Sequence, residues 1–450
     1  MIQRFADRSE YTRRAPWWLL AAVVIAWATL TPQLGPPRRP FVWCITCGPN
    51  WLSDVIANIA LFAPLGAGLV YSRWRLSTAI VVGVCASIAI EMLQRVGVAS
   101  GRTPALADIV ANSIGAIIGA WTTAGSGAIA RQLVGASAPR SRMLLVAWTV
   151  ALSVMLGATA WAVAPAVRSP VPGSIGASGD GVKASWMSTV PESPFVQSRL
   201  RGVVNGVQLP VKSAGQIIAA VAPTDSLHIT LSRQVIDEKD RRDKPITLVY
   251  VHGSATVTEQ AALLQFADDL ILRGAVNASR IGLQTPALRV RGVFALDSAL
   301  MWKFTRIEAL VAPGRLSVIV ETPDSRIGTV SDNLALTPAL GWTLVQPIVG
   351  ATARVAPLLT VLWLGLWFVP VGFWLARAMP ARAIATRLIA AALWSAVPLL
   401  VAQVSVSGVG IAPLALWQTV AAVVGAITGA LLATKLAPVA NDLSQDTARR

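Results

Sequence analysis

Both ends of this chain are made of stretches of about twenty residues with few or no charges, and that pattern limits the fold more than any other feature. Apolar runs fall at Ala15–Pro37 (core Trp17–Leu30), Leu52–Val70, Leu76–Leu93, Ala107–Thr123, Met143–Val167, Leu344–Leu375, Leu388–Val404 and Ile411–Leu432. A helix rises ~1.5 Å per residue, so about 20 residues cross the ~30 Å hydrocarbon layer of a bilayer. Only helices and closed barrels satisfy every backbone polar group inside lipid, and runs of this length predict helices. Composition agrees: 54% of the residues are hydrophobic and only 13% charged, against ~25% charged in a soluble domain. The predicted fold class is a multi-span α-helical membrane protein of about eight spans, with an inserted extracytoplasmic all-β sandwich domain.

The net charge of +16 comes from 38 basic and 22 acidic residues. The basic residues are scattered beside the apolar runs, which points to cytoplasmic loops and anionic lipid rather than nucleic acid. An eight-span reading places Arg73, Arg75, Arg131, Arg140, Arg142, Arg377, Arg382, Arg387 and Lys435 in inside loops, and only Arg38, Arg39, Arg95 and Arg102 in short outside loops. Both termini are therefore expected in the cytoplasm. No small-residue cleavage site follows the first run, so it reads as an uncleaved first helix rather than a signal peptide. The 17 Trp beside three Tyr suit interfacial belts.

Between about Pro170 and Pro338 no uncharged run is long enough to span. Short alternating or β-branched stretches occur instead, as at Leu227–Leu231, Ile246–Val251, Ala287–Val293 and Leu316–Val320, with turn signals such as Asp180–Gly181 and Pro313–Gly314. The organisation read from this is a five-span bundle over residues 1–168, an extracytoplasmic β domain over 169–340, a three-span region over 341–436 and a polar cytoplasmic tail over 437–450. Asp237–Lys244 reads as an exposed loop. Cys44 and Cys47 read as a local disulfide or as two thiols, and Cys85, mid-span, as a small packing residue. His228 and His252 read as strand or surface histidines. No metal-ligand spacing is present, and no cofactor is expected.

The polar residues inside the first spans carry the chemistry. Asp54 with Asn58 and Asp108 with Asn112 are D-x-x-x-N pairs, one turn apart on a helix face, each opening an apolar run. Alternating span direction brings Asp54, Glu91 and Asp108 to one end of the bundle, with Gln94 and Arg102 at the mouth and both Asn about a turn, ~6 Å, deeper. Three carboxylates and an Arg at one membrane interface make a candidate polar-ligand or proton-handling site, with Glu91, Asp54 and Asp108 as candidate catalytic groups. The bland reading is helix capping by the two Asp, interhelical hydrogen bonds from Asn and Gln, and a structural Glu91–Arg102 ion pair. Glu91 ends a span and, in this topology, is not expected to be an N-cap. Pro64 and Gly66 read as kink and packing residues, and Gly115 with Gly119 as a G-x-x-x-G face for close helix approach.

These residues form a combination that resembles the VanZ-like membrane protein family: D-x-x-x-N at Asp54 and Asn58, F-x-P-L-G at Phe62–Gly66, S-x-x-x-E-x-x-Q at Ser87, Glu91 and Gln94, then Arg102, and D-x-x-x-N-x-x-G-x-x-x-G from Asp108 to Gly119. The resemblance covers residues 32–123. It implies a multi-span envelope protein related to glycopeptide (teicoplanin) resistance or envelope stress, and an external domain similar to a concanavalin-type lectin or glucanase. No E-x-D-x-x-E-like carboxylate set is present in that domain, so glycan binding is the expectation rather than hydrolysis. The function expected is binding or sensing of a glycan, a peptidoglycan precursor or another lipid-linked envelope ligand, with membrane lipid as the constant partner. A membrane enzyme working through Asp54, Glu91 and Asp108 is the alternative, and a transporter the second alternative. Homo-oligomerisation is left open.

Overall fold

The computed structural model describes residues 16–32, 40–46, 48, 50–99, 101–134, 136–166, 182–185, 200–204, 207–211, 217–218, 227–234, 246–253, 259–266, 268–295, 304–324, 326–345, 351–352, 355–407 and 409–448. The chain forms two compact units, one of residues 1–136 with 436–450 and one of 137–435.

The first unit holds α1 (Trp17–Leu30), α2 (Trp51–Tyr71), α3 (Leu76–Arg95) and α4 (Leu106–Val134). Apolar residues surround α1 on nearly all sides, as expected of a helix set in lipid. At 14 residues it is ~21 Å long, short of a bilayer's hydrocarbon layer. Arg73, with φ 67°, closes α2: its N–H reaches Val70 O and that of Trp74 reaches Leu69 O. These 5→2 and 6→1 bonds satisfy carbonyls the helix leaves open. Phe62, Leu65 and Leu69 of α2 pack with Ile25 of α1, Ala79 and Ile90 of α3 and Ala120 of α4 in one core.

The second unit begins with α5 (Ala138–Val163) and ends with α6 (Ala356–Ala378), α7 (Ile384–Trp394), α8 (Ala396–Ser407) and α9 (Leu416–Ala448). By compactness α5 therefore goes with the C-terminal helices rather than with α1–α4. Among the described residues seven helical stretches have the length and apolarity to cross a membrane, α7 and α8 together making one of them, and α1 is the shorter eighth. The protein is thus a multi-pass membrane protein. The sixth apolar run is corrected at its start. The helix begins at Ala356, not Leu344, because Ala351–Thr352 pairs as a strand and Pro338–Leu344 forms a buried 3-10 helix. Some Trp also pack within the second unit, between α5 and α6 and along α6. Trp148 stacks on Trp367 and donates to its carbonyl at 3.0 Å, and Trp363 meets Trp367 edge-on.

Thirteen described strands lie between α5 and α6: β1 (Val182–Ser185), β2 (Leu200–Val204), β3 (Val207–Val211), β4 (Ile217–Ile218), β5 (Leu227–Gln234), β6 (Ile246–Gly253), β7 (Glu259–Phe266), β8 (Asp269–Gly274), β9 (Ala287–Val290), β10 (Phe304–Ala312), β11 (Arg315–Glu321), β12 (Thr329–Ala335) and β13 (Ala351–Thr352). One sheet runs β13-β9-β8-β7-β6-β1-β4, a second β12-β11-β10-β5, and β2 pairs with β3. Every pairing is antiparallel except β13 with β9. In β11 the buried positions alternate through Leu316, Val318 and Val320, the period a half-buried strand requires. These side chains share one core with Leu263, Leu270, Leu272, Leu288 and Val290 of the larger sheet, so the two sheets bury each other's apolar faces. The same core takes in Val163, Ala356 and Ile411 from the helical part of this unit. His228 and His252 fall in β5 and β6, while Asp237–Lys244 and Asp180–Gly181 lie outside the described residues.

Candidate functional site

The site is set by how closely α2 and α4 approach. A Cβ added at Gly66 would fall on the Ala116 carbonyl, one at Gly115 on that of Ile59, and one at Gly119 on that of Ala63. Only hydrogen fits between the two backbones at these points, so the glycines fix the depth and register of the helix pair. Gly83 of α3 meets the Ala116 side chain, which brings the third helix against the same stripe. Pro64 does not interrupt α2. With Trp17, Leu20, Val24, Leu61 and Gly68 it lines an apolar groove of about 580 Å³ beside α1.

With that register fixed, the polar residues gather at the end where α2 and α4 start and α3 stops. Asn58 Nδ2 donates to Asp108 Oδ1 at 2.7 Å. Glu91, 1% exposed, accepts the backbone N–H of Ala105 at 2.9 Å through Oε2. One turn deeper, Asn112 Nδ2 donates to Ser87 Oγ at 3.1 Å, and Asn112 Oδ1 is buried with no hydrogen-bond partner. Gln94 Nε2 donates to the Thr29 carbonyl at 3.0 Å, and the Arg102 guanidinium to the carbonyls of Ala28 and Thr31. Arg102 lies within electrostatic reach of Asp108 and Glu91. Burial pulls its pKa below the usual guanidinium value, and those two carboxylates oppose the shift. Asp54 is exposed at this mouth and close enough to Asp108 for the charges to interact.

Two sequence expectations change. Neither Asp54 nor Asp108 is an N-cap: α2 starts at Trp51 and α4 at Leu106, so each Asp lies inside a first turn, where the helix dipole favours a negative charge. Glu91 does act as a cap, across the bundle. It takes the amide of Ala105, just before α4, and so satisfies a donor that would otherwise be orphaned. Sequence reading also missed α1 as part of the site. Its C-terminal carbonyls at Ala28, Thr29 and Thr31 anchor Gln94 and Arg102. The signal was present in Arg102 and Gln94, donors with unfilled capacity beside a helix end that leaves four carbonyls open. Cys85 faces outward from α3 as a free thiol instead of packing inside, because its turn of α3 turns Gly83 and Ser87 inward. Cys44 is disulfide-bonded, and Cys47 lies outside the described residues. In the β region Asp269 is engaged by Arg289 at 2.6 Å and by the Gly292 N–H at 2.8 Å, whereas Asp268 contributes its carbonyl to Phe294 N–H. Among the described residues no group of His, Cys, Asp and Glu has the arrangement to hold a metal ion.

An apolar helical core with a carboxylate and amide layer at one end defines a class: a multi-pass membrane protein with a polar site at the rim of its first bundle. Residues 12–126 match the family model described as VanZ/LLP1, so the chain carries a VanZ-like domain. That stretch includes α1 and reaches further toward the N-terminus than the motif-bearing residues 32–123 alone. No curated protein and no solved structure matches the chain.

Proposed function

We propose that this is a cell-envelope protein whose VanZ-like bundle binds a lipid-linked or cell-wall ligand at the outer face through Asp54, Arg102 and Asp108, with the charge of the buried Glu91 beneath them. One observation carries the reading. At the rim of an apolar bundle an exposed carboxylate, Asp54, stands beside Asp108, which in turn lies within reach of Arg102, on a layer that is already hydrogen-bonded underneath. Charged groups at such a position are costly unless they meet a partner, a ligand or water. Binding fits better than catalysis because Glu91 is committed to a backbone amide and Asp108 to Asn58, which leaves no nucleophile and base in mutual reach.

In this reading the termini are cytoplasmic, and residues 169–340 form an extracytoplasmic lectin-like sandwich that samples glycan. The shared core of the two larger sheets supports the sandwich, and the VanZ-like match supports a link to glycopeptide resistance. The test is Glu91→Gln at matched protein level. Loss of the glycopeptide-susceptibility phenotype in a stable, folded protein is expected, and an unchanged phenotype would sink the reading. Reporters at residues 100, 135 and 250 should report outside, inside and outside.

A further inference from the structure

The second unit repeats the helix frame of the first. Phe62, Pro64, Gly66 and Leu69 of α2 correspond to Phe368, Pro370, Gly372 and Leu375 of α6, and eight of fifteen residues agree between Leu106–Ala120 of α4 and Leu416–Ala430 of α9. The contacts keep the same register. Gly115 faces the Ile59 carbonyl as Gly425 faces that of Gly365, Gly119 that of Ala63 as Gly429 that of Val369, and Gly66 that of Ala116 as Gly372 that of Ala426. Small residues pack membrane helices generally, but three matched carbonyl partners in one register require the same helix pair twice. The third helix does not keep this register: the Ala105 amide goes to Glu91 of α3, whereas the amide of its counterpart Ala415 goes to Gln418 of its own helix at 3.0 Å, and it is Leu414, one residue earlier, that reaches Gln403 of α8 at 3.4 Å. The loop between α1 and α2 is then the place where the second copy carries the β region, between α5 and α6.

The polar residues are what differ. Thr360 stands for Asp54, Leu364 for Asn58, Gln418 for Asp108 and Ala422 for Asn112. In the second copy the two remaining polar positions are covered by the chain itself. Gln418, 3% exposed, donates to Thr337 Oγ1 at 3.1 Å, and Thr360, 1% exposed, accepts the indole N–H of Trp342 at 3.0 Å. Thr337 and Trp342 belong to one buried segment ending in the 3-10 helix Pro338–Leu344, which lies across the starts of α6 and α9 as a plug. Its neighbours are fixed too: Ala412 N–H goes to the Leu336 carbonyl at 2.9 Å. In the first copy the corresponding mouth has an exposed Asp54, a half-buried Asp108 and, one turn deeper on the same face, the unpartnered Oδ1 of the 2%-exposed Asn112.

We propose that the mouth of the first copy binds the sugar headgroup of a glycolipid or lipid-linked glycan in the position that Thr337–Trp342 holds in the second. The proposal rests on the reading of this cluster as a ligand site and names its ligand. The plug presents a hydroxyl and a ring N–H to the two helix starts and buries a flat ring. A sugar presents hydroxyls around a ring with apolar faces. Ionised carboxylates only accept hydrogen bonds, so Asp54 and Asp108 select a headgroup that donates and reject one that offers only phosphate or carboxylate oxygens.

The test uses the full-length protein in phosphatidylcholine nanodiscs, titrated with glucosyl-diacylglycerol, phosphatidylethanolamine or phosphatidylglycerol and read by native mass spectrometry. The informative variant is Asp54→Thr with Asp108→Gln, which installs the second copy's own residues in a frame that tolerates them. Glucosyl-diacylglycerol should bind wild type at least about tenfold tighter than the double variant, with Thr360→Val unchanged. Equal binding by wild type and double variant would overturn the proposal. So would preference for phosphatidylethanolamine, which would make an ammonium the recognised group. A Glu91→Gln phenotype without sugar-lipid binding would sink this assignment and leave the broader site reading standing.

Discussion

The two helix pairs of this protein, α2 with α4 and α6 with α9, keep the same glycine contacts and differ in nearly every polar residue at their mouths. The contrast separates what the frame needs from what the site needs. Glycines facing carbonyls recur because two backbones cannot otherwise approach, and any side chain there would have to displace main chain. The carboxylates do not recur, and Gln418 is the one side-chain amide at the corresponding helix starts, so the frame stands without a charge at its mouth. In one copy neutral groups meet an internal segment, and in the other charged groups meet whatever reaches the rim.

The largest effect that bears on this comparison is overpacking of the frame. Gly119→Leu and Gly429→Leu should each prevent their own bundle from closing, at a cost of about 3 kcal/mol or more, because the side chain lands on a carbonyl rather than on a side chain that can move. Limited proteolysis in detergent would report new cleavage within residues 51–126 for the first variant and within 356–436 for the second. If Gly429→Leu behaved like a lipid-facing change, the two pairs would not be equivalent.

Next come the groups that close each mouth from within. Glu91→Ala takes the acceptor from the half-buried Ala105 amide, and Thr360→Val takes it from the buried Trp342 indole N–H, so each should cost about 1–3 kcal/mol, the first toward the lower end. Glu91→Gln should cost far less than Glu91→Ala, since a glutamine keeps an acceptor there as Gln403 does beside Leu414. Thermal unfolding of the purified variants in one detergent would rank them. A Glu91→Gln variant as unstable as Glu91→Ala would mean that the charge itself holds the first mouth together.

Much of this was legible in residues. The spans, the G-x-x-x-G face and the gathering of Asp54, Glu91 and Asp108 at one end follow from hydropathy, spacing and alternating direction. The strands at Leu227, Ile246, Ala287 and Leu316 follow from β-branched alternation. Other features were not legible because they depend on partners distant in sequence. Leu344–Val345 reads as the start of a span, yet Leu344 belongs to a buried 3-10 helix whose Trp342 needs Thr360 to satisfy its N–H. The capping role of Glu91 needs the loop at Ala105. The repeat was written in F-x-P-x-G at Phe62–Gly66 and Phe368–Gly372. Its signal is weak because the polar positions, which are the distinctive ones, are where the copies diverge, and small residues recur in membrane helices generally.

The smallest effect is also the sharpest. Asn58 and Asp108 form a pair whose counterparts, Leu364 and Gln418, do not bond to each other through side chains. Interhelical hydrogen bonds in membranes are worth about 0.6 kcal/mol on average, and one to a charged group somewhat more. Asn58→Leu should therefore cost about 1 kcal/mol, since half-buried Asp108 can recover some hydration. Asp108→Gln should cost a similar amount. The double variant, which copies the second pair, should cost less than the sum by roughly the strength of the bond they share. Strict additivity would mean that the 2.7 Å contact contributes no coupling. The Asp54–Asp108 mouth would then be held by the glycine frame alone, with Asn58 free to serve a ligand instead.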